Sequence, residues 1–402
     1  MSAPLLSVVI PTKDRAGYAV HCLRTLTRLA GDELEIIVQD NSATADLGRL
    51  IAEAGDTRVR YEHRPGALSV IENCERGMAR ARGEYMSLLG DDDGVASVVL
   101  DVARWAAGEG VDALVPSRAA FYVWPDVRYA NRGDARGGLL TIRPYTGTVT
   151  SQDAEGGVRR SLRLAFQNLI DTVDLPKLYY GMIHRRCIEA LRQEAGAVFP
   201  GVSPDMSAAI GLSKYVRRFV SVDYPVFLGG ISAQSTGGAQ ARKEHVGRLE
   251  DQAHLPRNCV ATWPIEVPAV FAVETVWAQS GLAALRATGR SELAETLDLG
   301  LLDAMIGELN AGYWPAVLPS YWRAVHARGR SRAGAMLDLA SGWVRTWALR
   351  ARYLTGRLAR VPWYVGERTI PNLPTIADAS TALEAWVAKR GVHLALRMPD
   401  RR

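Results

Sequence analysis

The first 115 residues alternate β-branched runs with helix-patterned segments, and that alternation restricts the fold more than any other feature of the chain. Ser7 to Ile10 is a strand-like run that stops at Pro11, and Tyr18 to Ala30 repeats Val20, Leu23 and Leu26 at helical spacing. Strand-like runs recur at Leu34 to Val38, Val59 to Tyr61, Tyr85 to Leu89 and Val111 to Val115. Helical patterns at Leu47 to Ala54, Leu68 to Arg82 and Val95 to Ala107 lie between them. Such alternation predicts an α/β protein with a doubly wound, Rossmann-like, mostly parallel sheet carrying helices on both faces. Ligands of such sheets bind beyond the carboxyl ends of the strands. Acids collect there: Asp14 after the first strand, Asp40 after the second, and Asp91, Asp92 and Asp93 after the fourth.

Length and composition exclude most other classes. The chain has 402 residues, enough for two or three domains. Apolar residues at 48% and charged residues at 23% rule out disordered, collagen-like and coiled-coil chains. Four scattered cysteines without a CxxC pair suggest neither a zinc site nor a disulfide framework. No export signal is expected, and no apolar run reaches the ~18 residues that span a bilayer. The expected location is therefore cytoplasmic. Residues 120 to 160 suggest extra strands and a mobile loop around Asn131 to Gly138. Beyond about residue 250 the pattern is mainly helical, with a break at Pro362 to Pro374 before a last helix, Ser380 to Arg390. Three regions are expected: 1–120, 121–245 and a helical accessory region, 246–402. The net charge of +5 is unevenly spread, since residues 1–100 carry −4 and residues 321–402 carry +10.

Three consecutive aspartates repel one another, so a strand that delivers them together has reason to bind a cation; hard oxygen ligands suit Mg²⁺ or Mn²⁺. A solvated acidic turn is the alternative reading of the bare triplet. The surrounding segments add to it. SVVIPTKDR at 7–15, EIIVQDNSA at 35–43, NCERGMARARGEY at 73–85 and LLGDDD at 88–93 together resemble family 2 glycosyltransferases with a GT-A fold. The resemblance implies that Pro11, Thr12, Asp14 and Asp40 hold the base and ribose of a nucleotide diphosphate sugar. It also implies that Asn73 and Arg80, with Arg82 nearby, contact the donor, and that Asp91, Asp92 and Asp93 form the metal-binding DxD. Gly90 stands where many members have the first Asp of that motif, which leaves its register open. Helix capping is the alternative for Asp14 and Asp40, and surface charge the alternative for the arginines.

An inverting transfer needs a carboxylate that takes the proton of the acceptor hydroxyl. The resemblance places it about 100 residues beyond the metal motif, and Asp205, preceding a helix, is the candidate; an N-cap acid is the alternative. Tyr179, Tyr180, His184 and Ser232 are candidate acceptor contacts, against a packing role for the tyrosines. The implied donor is a nucleotide diphosphate sugar, and the acceptor a surface glycan or lipid-linked glycan. Neither a QxxRW motif nor membrane helices are present, so transfer of one sugar is expected. Nucleic acid is not an expected partner. The segment Trp343 to Arg360 reads as an amphipathic helix with tryptophans opposite arginines, suited to an anionic membrane surface or to packing on this chain or a second subunit. A sugar nucleotidyltransferase would need a Gly-rich phosphate loop at Pro11 to Lys13. A silent partner in a glycan-assembly complex is the remaining rival.

Overall fold

The computed structural model describes residues 3–128, 137–168, 172–242, 246–309, 311–359 and 368–399, so the loop expected at Asn131 to Gly138 lies outside it up to residue 136. Strand β1 (Leu6–Thr12), helix α1 (Ala16–Thr27) and strand β2 (Leu34–Asp40) open the chain. Both strands are buried almost throughout, as parallel strands covered on two faces must be, which is why they read as continuous apolar runs. The alternation continues through α2 (Asp46–Ala54), β3 (Val59–His63), α3 (Val70–Arg80) and β4 (Tyr85–Leu88). A short β5 (Gly94–Val95) precedes α4 (Val99–Gly108), β6 (Ala113–Pro116), β7 (Ala120–Val123), β8 (Leu139–Ile142) and β9 (Val149–Ser151). Next come α5 (Ala154–Arg163), β10 (Met182–His184), α6 (Arg185–Ala195) and α7 (Pro204–Leu212). This half closes with β11 (Phe219–Val222), β12 (Phe227–Ile231) and α8 (Thr236–Arg242).

The chain is a mixed α/β protein with a parallel-rich sheet, as the alternation predicts. Its eight strands run β3-β2-β1-β4-β10-β6-β11-β9, with β10 antiparallel to both neighbours. In register, Thr12 lies beside Asp40, and Val9 beside Leu88. The ends of β1, β2 and β4 therefore open onto one edge, which gathers the acidic loops.

A mainly helical region follows: α9 (Val273–Ala287), α10 (Ser291–Ala294), α11 (Leu299–Leu309), α12 (Trp314–Ala327) and α13 (Arg332–Ala359). Its core, including Leu282, Leu285, Leu302, Ile306 and Tyr321, is continuous with Val158 and Leu162 of α5 and Met206 and Ile210 of α7. Helices α11 and α13 touch at Gly300 and Gly342, where a Cβ on either would fall inside the partner's backbone.

The expected accessory region does not run unbroken to 402. Strand β13 (Arg368–Ile370) pairs antiparallel with β8 in a second, five-stranded sheet, β13-β8-β7-β12-β5. Helix α14 (Ile376–Arg390) buries Ile376, Ala379 and Leu383 in the core beside α1. It starts before the expected Ser380 because Thr375 and Asp378 form a capping box that satisfies the first free amides. Arg28, just after α1, donates to Ser380 (2.6 Å) and Glu384 (2.5 Å), and the Ser380 hydroxyl to the Val95 carbonyl (2.6 Å).

The expected division of α13 into a tryptophan face and an arginine face also changes. Trp343 stacks on Trp314, with ring centroids 5.7 Å apart, and Arg345 pairs with Asp298. Among the described side chains of α13 the exposed large apolar residues are Met336, Leu337, Val344, Leu349 and, of the two tryptophans, Trp347. The side chains of Arg352, Leu354 and Leu358, and all of Arg360, lie outside the described residues. No helix among the described residues is long and apolar enough to cross a membrane.

Candidate active site

The loop after β1 and the loop after β4 meet at the carboxyl edge of the sheet. Thr12 donates its hydroxyl to Asp91 Oδ2 at 2.6 Å. Arg15, three residues further on, spans two carboxylates: Nη1 lies 2.9 Å from Asp91 Oδ1 and Nη2 2.9 Å from Asp92 Oδ2. Ser232, in the loop after β12, donates to Asp92 Oδ2 at 2.6 Å and accepts from Arg15 Nη2 at 2.7 Å. The Trp124 indole N–H holds the Asp92 carbonyl at 2.9 Å. Burial works against the Arg15 charge, but Asp91 and Asp92 outweigh it and raise the guanidinium's pKa.

Asp93 turns the other way. Its Oδ2 accepts from the Tyr179 hydroxyl (2.7 Å) and the Gly90 amide (2.8 Å), and its Oδ1 from the Tyr180 hydroxyl (2.7 Å) and the Gly230 amide (2.5 Å). Burial pushes the Asp91 and Asp93 carboxyls up, while Arg15 and these donors respectively oppose the shift. Both phenols are pushed well up, by burial first and Asp93 second, so they remain protonated donors. The three carboxylates thus do not converge on a point: among the described residues no group of three or more His, Cys, Asp or Glu is disposed to hold one ion. This corrects the expectation that all three aspartates face a metal. Asp93 has both oxygens filled by protein donors, whereas Asp91 and Asp92 share a cation.

That pair fits a divalent ion on the chemistry of its donors. Both groups are hard carboxylate oxygens, a resident positive charge already bridges them, and Asp91 Oδ1 is buried without a hydrogen bond despite its charge contact with Arg15.

The expected nucleotide residues form the floor and rim. Asp14 Oδ1 accepts from the Ala43 amide (2.8 Å), and the Asp14 amide donates to the Ser42 hydroxyl (2.7 Å). Asp14 has φ 54, a left-handed conformation that Asp tolerates. Asp40 is fully buried and accepts from the Tyr61 hydroxyl and the Ser42 amide, both at 2.8 Å. Neither acid caps a helix; together they staple the loop after β1 to the loop after β2. Pro11 is in β1, one residue before Thr12. Asn73, buried in α3, donates to the carbonyls of Thr12 (3.2 Å) and Gln39 (3.3 Å), tying the two strand ends beneath the cluster. Its Oδ1 is a buried acceptor without a partner.

Other expected residues lie elsewhere. Arg80 pairs with Glu62 and donates to the carbonyl of Val38 at 3.4 Å, and Arg82 pairs with Glu35 near the opposite end of the sheet. His184 sits opposite Tyr85, the first residue of β4, where it accepts from the Arg186 amide and packs edge-on to Tyr85. It is therefore at the edge of the sheet remote from Asp91.

Asp205 occupies the first turn of α7, but no side chain caps that helix. Burial pushes its carboxyl up to about 6, with Lys177 pulling the other way. Asp205 is near enough to Tyr179 to help raise that phenol, as Asp93 and Asp92 do. The preceding loop is fixed from the helical region: the Val202 amide donates to Gln279 Oε1 (3.0 Å) and the Ser203 amide to the Ser280 hydroxyl (2.8 Å), both acceptors on α9. Gly201 lies against the Ser280 backbone. Arg15 and Trp124 are the members of this site that sequence reasoning missed; the Asp14-Arg15 pair beside an acid-rich strand end was the available signal.

A parallel-rich α/β sheet with carboxylates gathered beyond its central strands defines the general class, and comparison with known proteins narrows it. Residues 7–150 match the family described as Glycosyl transferase family 2. Glycosyltransferase GlyG of Streptococcus pneumoniae is 30% identical over 92 residues, covering 22% of this chain and 30% of that protein. The GalNAc(5)-diNAcBac-PP-undecaprenol beta-1,3-glucosyltransferase of Campylobacter jejuni is 28% identical over 113 residues, 27% of this chain and 36% of that protein. The matches thus span about a third of the length of these relatives. Among solved structures, S. aureus TarS 1-349 in complex with UDP-GlcNAc aligns over 81% of this chain and 93% of its own, with 12% identity and a TM-score of 0.42. The similarity to glycosyltransferase family 2 thus covers residues 7–150, the part of the chain that carries the aspartate cluster.

Proposed function

We propose that the chain transfers a single sugar, with inversion, from a nucleotide diphosphate sugar to a hydroxyl of a bacterial glycan or lipid-linked glycan. The observation that carries this reading is Asp205: a first-turn carboxyl that caps no helix, has a raised pKa and lies within electrostatic range of Tyr179, which also feels Asp92 and Asp93. A base that must take a proton near neutral pH works best when its own pKa approaches that pH. Burial supplies this tuning, and the contacts from α9 fix the loop that carries the carboxyl. The name of the Campylobacter relative, which specifies a polyprenyl-linked glycan, supports a glycan acceptor.

Thr12, Asp14 and the loop after β2 would form the nucleotide side of the site, with Asn73 holding the strand ends in place. Asp91 and Asp92 would hold Mn²⁺ or Mg²⁺, which when bound neutralises charge on the donor diphosphate. Asp93 would not be a ligand in this reading: its donors make it the post that fixes Tyr179, Tyr180 and Gly230 around the cluster. Ser232 would orient Asp92.

The test is Asp205→Asn. Nucleotide diphosphate binding, followed by thermal shift with Mn²⁺, should be retained, while transfer falls by two or more orders of magnitude. In the wild type the carboxylate must be ionised, so kcat/KM should fall about tenfold per pH unit below about 6 and level off above it. Asp205→Asn should lack that limb. Unchanged turnover would remove Asp205 from the mechanism, and failure of every nucleotide diphosphate to bind would favour a non-catalytic assembly partner.

A further inference from the structure

Arg15 occupies the place between Asp91 and Asp92. Its guanidinium makes ion pairs of 2.9 Å with each carboxylate and a 2.7 Å hydrogen bond to Ser232. The carboxylates are almost fully buried, at 2% and 5% side-chain exposure, whereas Arg15 keeps 19% of its side chain exposed. Arg15 thus covers the pair from the open side. The arrangement is not a saturated structural ion pair. Arg15 Nε and Asp91 Oδ1 are both buried without a hydrogen bond, so neither the planar fork nor the acceptor pair is fully used. The side chain belongs to the loop immediately before α1, and its guanidinium lies 5.2 Å from the Tyr18 ring centroid. A rotation about its own side-chain bonds would expose the carboxylates without breaking a strand.

We propose that Arg15 is a resident cation of the Asp91–Asp92 pair that competes with a divalent metal, so that metal binds well only together with a nucleotide diphosphate. This rests on the reading of Asp91 and Asp92 as metal-holding residues. Two cations cannot share the same pair of carboxylates at hydrogen-bond distance without strong repulsion. Metal arriving alone must displace the guanidinium into water with no new partner. Metal arriving with a diphosphate gives Arg15 an alternative, because phosphate oxygens accept the same planar, two-pronged donation as a carboxylate. The arginine would thereby convert two separate binding events into one coupled event.

The experiment measures Mn²⁺ binding to the full chain by the loss of the free-ion electron paramagnetic resonance signal, with and without UDP or GDP. Wild type should bind Mn²⁺ weakly alone and at least tenfold more tightly with the nucleotide that binds. Arg15→Met should bind Mn²⁺ alone at least tenfold more tightly than wild type, with the nucleotide dependence reduced. Removing the guanidinium leaves two carboxylates facing each other, so Arg15→Lys is the companion variant: it retains a charge but loses the fork, and should fall between the two. Equal Mn²⁺ affinity in wild type and both variants would overturn the role of Arg15 alone. If Mn²⁺ fails to bind any of them with either nucleotide, or binds Asp91→Asn and Asp92→Asn as well as wild type, the metal reading itself fails, and this proposal with it.

Discussion

Tyr180→Phe isolates one hydrogen bond at the centre of the site. Tyr180 donates at 2.7 Å to Asp93, a residue with no solvent exposure, and is one of four donors on that carboxylate. Phenylalanine keeps the ring and its T-shaped contact with Tyr179 (centroids 4.4 Å apart) but leaves Asp93 Oδ1 with the Gly230 amide alone. Leaving a buried acceptor short of a partner costs about 1–3 kcal/mol, and Asp93 has no exposed surface at which water would replace the lost donor. The expected loss is therefore about 2 kcal/mol, close to a thirtyfold fall in the folding equilibrium. Urea unfolding followed by tryptophan fluorescence measures it, and Trp124, bonded to the Asp92 carbonyl, reports from inside the cluster. A double-mutant cycle with Asp93→Asn should give a coupling of at least 1 kcal/mol. A loss below about 0.5 kcal/mol, or strict additivity, would refute the view that the tyrosines hold Asp93 in place.

Two glycine substitutions probe the same architecture from other directions. A Cβ at Gly230 would collide with the Asp92 carbonyl, so Gly230→Ala should push β12 off the acid cluster and lower both nucleotide binding and transfer at least tenfold; calorimetry of the nucleotide checks it. A Cβ at Gly201 would lie 2.5 Å from Ser280 Cα, shifting the loop that leads into Asp205 but not the nucleotide side. Gly201→Ala should therefore reduce transfer by an order of magnitude or more while leaving nucleotide affinity within twofold, and equal loss of both would contradict this separation of roles.

The parallel half of the sheet was legible because β1, β2 and β4 are short apolar runs that meet Pro11, Asp40 and Gly90, and the carboxylates after them follow from that register. Ser232 was reachable only as a hydroxyl in a Gly-rich loop; its bond to Asp92 spans 140 residues and carries no local signal. Arg15 was obscured because a charged residue next to Asp14 in a loop reads as solvated. His184 misled for the opposite reason. A histidine close to two tyrosines suggested proximity, but β10 runs antiparallel, carrying the chain away from Tyr179 toward the far end of β4. The return of β13 and α14 was hidden by the prolines of 362–374, although Thr375 and Asp378 mark the helix start once a capping box is sought.

That return makes the helical region an insertion. The chain leaves the second sheet at Ile231 and rejoins it at Arg368, so α9 to α13 lie in a loop whose two ends are already clamped by strand pairing. For a flexible connection, doubling the length costs only about 0.6 kcal/mol in closure entropy. The sheet is accordingly nearly indifferent to how large the inserted part becomes, while Gln279 and Ser280 still reach across to the loop before Asp205. A scaffold of this kind lets the inserted helices change in size and surface without re-threading the half that holds the aspartates.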